Sequence, residues 1–106
     1  MVEKYGQTCH YLLKCIATIA VASDSFDVPL DTLTTCLAGI TGPDSYAVSG
    51  IGEDLRRLRV LQFIDIVSTT LPPTLTISQL GIFFSEGISM TPAMEAYFRQ
   101  YFPSKG

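Results

Sequence analysis

The sequence predicts an α+β domain that is mostly helical and carries one short antiparallel β-hairpin of two or three strands. Two observations predict it. Apolar residues recur at helical spacing in several stretches separated by Gly and Pro, among them Gly39, Gly42-Pro43, Pro72-Pro73 and Gly87. One stretch, Val60-Leu61-Gln62-Phe63-Ile64-Asp65-Ile66-Val67, is instead rich in β-branched and aromatic residues, as strands are. A chain of 106 residues fits a single domain, 1–106, with a core over about residues 8–87 and a last helix over about 92–102. Its 47% hydrophobic content is enough to bury a real core, so disorder is not expected.

The first helix is read from Tyr5 to Ala22. Leu12, Cys15, Ile16 and Ile19 form one stripe, and Ala17, Ala20 and Val21 make the remaining surface apolar. A helix apolar most of the way round is buried on more than one side. The second side is either a dimer contact or is covered by the C-terminal helix. Ser23 to Asp27 is a polar turn. Val28-Pro29-Leu30 leads into a short helix with Leu30, Leu33 and Leu37 inward. Gly39 suits the left-handed position after its end, with Ile40 folding back on the last turn. Thr41-Gly42-Pro43 cannot continue a helix.

The stretch from Pro43 to Arg59 organises the chain. Val48, Ile51, Leu55 and Leu58 fall on one helical face, and Asp44 or Ser45 is placed to cap its start. The opposite face carries Tyr46, Ser49, Gly50, Glu53 and Arg57, with Arg56 on its rim and Arg59 nearer the core side. A short helix, a tight turn and a second amphipathic helix make a helix-turn-helix. A strand follows from about Gln62 to Ser68, then a loop through Pro72-Pro73, then a short strand at Leu75-Thr76-Ile77. Ser78 can cap a further helix holding Leu80, Ile82, Phe83 and Phe84, with Gly87 as its stop. Thr91-Pro92 opens the last helix as cap and first residue, and Met94, Tyr97, Phe98 and Tyr101 form its apolar side.

This order resembles the winged helix-turn-helix domain of small bacterial and archaeal transcriptional regulators. Ala47-Val48-Ser49-x5-Leu55-x2-Leu58 resembles that family's third helix, and Ile77-Ser78-Gln79-Leu80-Gly81 resembles the segment that closes its wing. The likeness spans roughly Leu12 to Phe84. It implies double-stranded DNA as the partner of the third helix, a wing on the DNA backbone, and dimerisation through the terminal helices. The residues it assigns to DNA are Tyr46, Ser49, Glu53, Arg56, Arg57 and Arg59.

Charge placement argues for a second reading. The net charge is −3, and the seven basic residues are Lys4, Lys14, Arg56, Arg57, Arg59, Arg99 and Lys105. None falls between Val60 and Phe98, so the wing has no cation for a phosphate, although phosphate contacts supply most of the affinity of such proteins. The alternative is a winged-helix module that binds protein through the same scaffold. Only 16% of residues are charged, which points to apolar surface covered by a partner or a second copy and supports a homodimer.

Other chemistries find little support. Cys9, His10, Cys15 and Cys36 lack the paired spacing of a metal site, and only Lys14 stands near enough in sequence to activate a thiol. The odd cysteine count reads as reduced, buried thiols. No nucleophile–base set, phosphate loop or paired carboxylates appear, and Asp24 and Asp27 flank a turn, so neither catalysis nor a cofactor is expected. The aromatic set Phe83, Phe84, Tyr97, Phe98, Tyr101 and Phe102 reads as core plus dimer contact, or as the cover of a ligand pocket. No apolar run reaches the roughly 18 residues needed to cross a bilayer. The opening Met-Val-Glu-Lys-Tyr lacks signal-peptide character, so a cytoplasmic protein is expected.

Overall fold

The computed structural model describes residues 2–41, 46, 48–67 and 73–101, with side chains from Thr8 onward. Within them lie five α-helices and three strands. α1 is Val2–Ser23, β1 Asp27–Pro29 and α2 Leu30–Gly39. A single 3-10 turn at Val48–Gly50 leads into α3, Ile51–Val60. β2 (Ile64–Val67) and β3 (Thr74–Ile77) are followed by α4 (Gln79–Ser85) and α5 (Pro92–Tyr101). The sheet is antiparallel in the order β1-β3-β2, with Val28 and Ile66 both opposite Leu75. The third strand comes from Asp27-Val28-Pro29, which the sequence reading had treated only as the approach to α2.

Alternation across the sheet sets its two faces. Val28, Ile64, Leu75 and Ile77 point into the core. Asp27, Thr76 and Asp65 stand in one row on the other face, and Thr76 Oγ1 donates to Asp27 Oδ1 at 3.1 Å. α1 runs through the middle of the molecule and packs against α2, α3, α4 and β1. Ala17, Ile19 and Ala20 are accordingly buried, while Val21 faces out. Of the second apolar side of α1, Ala17 and Ala20 are thus enclosed within the chain, where α4 lies against α1, and Val21 is left outward.

Two glycines are fixed by close approach. A Cβ on Gly81 would run into the Phe63 carbonyl and Ile77 Cγ1. Ser78 completes this junction: its hydroxyl donates to Gln62 O (2.8 Å) and Phe63 O (3.0 Å) and accepts from Gly81 N (3.0 Å), capping α4 as expected. Gly39 corrects the sequence reading. It is the last residue of α2 and not a left-handed residue beyond it; a Cβ there would meet the Tyr97 ring of α5. Thr91 caps α5 by accepting from Met94 N at 3.2 Å. The Asp44/Ser45 cap, the Gly42-Pro43 connector and Phe102 lie outside the described residues.

Candidate nucleic-acid interface

α3 is held by an apolar stripe with one polar member. Ile51, Asp54, Leu55 and Leu58 follow the i, i+3, i+4, i+7 spacing of a core-facing side. Leu55, Leu58 and also Asp54 are buried, Asp54 being 7% exposed. A carboxylate inside a core is costly unless it is hydrogen bonded. Both oxygens of Asp54 are served: the Tyr46 hydroxyl donates to Oδ2 at 2.5 Å, and the Cys9 thiol donates to Oδ1 at 3.4 Å. The Tyr11 ring stacks on Tyr46 at 5.7 Å between centroids.

Burial, reinforced by Asp54, favours the neutral forms of both donors. The Cys9 thiol is pushed up to about 11 by burial first and then by the Asp54 charge and hydrogen bond, with the Arg57 charge opposing. Burial and the Asp54 hydrogen bond push the Tyr46 phenol well above its ordinary range. Burial also raises the thiols of Cys15 and Cys36. Thiols held neutral in this way are poor nucleophiles. Among the described residues, no three His, Cys, Asp or Glu side chains are grouped to hold a metal, and no helix is long and apolar enough to cross a membrane.

Tyr46 therefore does not stand on the outward face, as the sequence reading placed it. It is 9% exposed, with its hydroxyl turned to Asp54. The expectation ran a regular helix back from Leu58 at 100° per residue. The chain instead enters α3 through the 3-10 turn, so that projection fails before Ile51. The remaining expected residues are exposed: Ser49 on the 3-10 turn, and Glu53, Arg56, Arg57 and Arg59 on α3. Arg59, expected nearer the core side, pairs with Asp65 of β2 at 3.5 Å, and both side chains are largely in water. Such a surface pair is worth well under about 1 kcal/mol. It belongs to an open hollow lined by Arg59, Gln62, Ile64, Asp65, Thr76 and Ser78.

Asp54 was the residue that sequence reasoning missed. It is not among the residues the sequence reading singles out on this helix. Its place in the Ile51–Leu55–Leu58 stripe was a signal that could have found it. No protein-family model, curated protein or solved structure matches this chain.

Proposed function

We propose that this chain is a winged-helix, DNA-binding transcriptional regulator that acts as a homodimer. The observation that carries the reading is the strand order β1-β3-β2 beside α2 and α3, with the 3-10 turn exposing Ser49 and α3 exposing Glu53, Arg56 and Arg57 while its other side is anchored in the core. That placement is compatible with α3 as the second helix of a helix-turn-helix, the element that enters a major groove in such proteins. Arg56 and Arg57 are the residues proposed to meet guanine edges or phosphates. Tyr46 has no direct part in it; its role is to seat α3 through Asp54.

A second reading is favoured by one specific observation. The outward face of the sheet carries Asp27 and Asp65, and Arg59 is turned to Asp65. An acidic sheet beside the helix suits a protein partner better than a DNA backbone. The two readings separate in one titration against random duplex at low salt. The regulator binds at tens of micromolar or better. With at most six cations from Arg56, Arg57 and Arg59 of two copies, its log affinity falls against log salt with a slope of magnitude at most about 5. Arg57→Ala weakens a specific site by roughly 1–3 kcal/mol if Arg57 reads a base. Absence of duplex binding at tens of micromolar overturns the regulator in favour of the protein-binding module.

A further inference from the structure

α4 is buried on one side only. Gly81 and Ser85 face the core, but Leu80, Phe83 and Phe84, at i, i+3 and i+4, are 52%, 73% and 40% exposed. Beside them is an open, mostly apolar hollow of about 220 Å3, walled by Ala20 and Val21 of α1, by Phe26, and by Ile82 of α4 itself. Val21 and Phe26 also remain largely in water.

We propose that this face is the contact between two copies of the chain, with Phe83 of each copy filling the hollow beside α4 of the other. Size fits: an apolar cavity of about 150 Å3 accepts a benzene ring, so this hollow admits a phenyl group. Symmetry fits as well. Phe83 is the neighbour in sequence of Ile82, which walls the hollow. Knob and hole therefore sit side by side, and one two-fold axis satisfies both contacts at once. The area is sufficient. With large side chains of roughly 150–250 Å2, the exposed parts of Val21, Phe26, Leu80, Phe83 and Phe84 come to on the order of 500 Å2 per copy. Two copies then reach about 1,000 Å2, where specific interfaces begin.

Charge selects the class of partner. The chain has no basic residue from Val60 to Phe98; Asp24 lines the hollow and Glu86 follows α4 directly. Lys14 of α1 reaches α4 and donates to Ser85 O at 3.2 Å; one ammonium already engaged in this way is a poor anchor for a nucleic acid or an anionic bilayer. A second copy brings its own apolar face and leaves the carboxylates in water. The contact does not depend on whether α3 binds DNA.

Sedimentation equilibrium of the full chain at tens of micromolar tests it. A dimer is expected, unchanged or tighter as salt screens the acidic rims. Phe83→Asp and Val21→Glu, both at exposed positions, should each give a monomer with unaltered circular dichroism and unfolding midpoint. Phe83→Ala should weaken the dimer roughly 100-fold. A wild-type monomer, which would leave the face to a different protein, overturns the proposal. So does a dimer that survives Phe83→Asp, since two copies would then meet elsewhere. The duplex titration is read separately: a monomer would take the homodimer out of the proposed regulator without deciding whether α3 binds DNA, and a dimer without duplex affinity would leave this contact standing.

Discussion

Asp54 is tied to two elements besides its own. Through Oδ1 it reaches Cys9 on α1, and through Oδ2 it reaches Tyr46 ahead of the 3-10 turn. A buried hydrogen bond adds only about 1 kcal/mol net, but a buried oxygen stripped of its donor costs about 1–3 kcal/mol. Tyr46→Phe should therefore destabilise by that larger amount in urea unfolding. Tyr46→Phe combined with Asp54→Leu should recover part of the loss, because no orphaned carboxylate remains. A double variant as unstable as the sum of its parts would show that the pair is not coupled. Both donors are also held neutral, which sets a pH dependence. Their folded values lie above their unfolded ones, so the unfolded chain gives up protons first and stability falls as pH rises. For Cys9 the contribution is complete below about pH 9 and is lost as pH climbs through about 11. Alkaline titration of the unfolding midpoint should show this decline, and Cys9→Ala should make it shallower, the buried thiols of Cys15 and Cys36 supplying the rest.

At the scale of elements, the joints are made by close approach. Gly81 of α4 rests on the Phe63 carbonyl, while Gly39 of α2 rests on the Tyr97 ring of α5. A carbonyl in a packed backbone cannot step aside, whereas an aromatic side chain can turn. Gly81→Ala should cost about 1–3 kcal/mol by overpacking. Gly39→Ala should cost less, its strain partly offset by the roughly 1 kcal/mol gain in helix propensity. A reversed order in thermal unfolding would contradict this account. These joints also mark how far the sequence could be read. The Ser78 and Thr91 caps were legible because they rest on residues three apart in one segment. The hairpin was legible because β-branched residues and prolines announce it. β1 was not, since three residues become a strand only through pairing with β3, a partner distant in sequence. Gly39 was assigned the wrong reason because Tyr97 lies far along the chain. At the candidate interface, the arginines were found by composition. Tyr46 was misplaced because a 3-10 turn has no period of its own in eleven residues of pattern.

At the scale of the whole molecule, the Arg59–Asp65 pair joins the exposed face of α3, which carries Glu53, Arg56 and Arg57, to the Asp27–Thr76–Asp65 row of the sheet. If duplex DNA is the partner, that row limits affinity. Asp65→Asn should then strengthen duplex binding several-fold and steepen the salt slope by about 1 per released Arg59. Stability should change by well under about 1 kcal/mol, because the pair is exposed. Unchanged duplex binding in this variant would mean the sheet face does not approach the DNA. The seating of α3 has a further consequence. The residues that fasten the helix, Asp54, Leu55 and Leu58, are inward, and those displayed by the helix and the 3-10 turn before it, Ser49, Glu53, Arg56 and Arg57, are outward. The letters that seat this segment are therefore separate from those it shows to solvent. Descendants of this sequence can drift at the displayed positions without first unlearning how to fold.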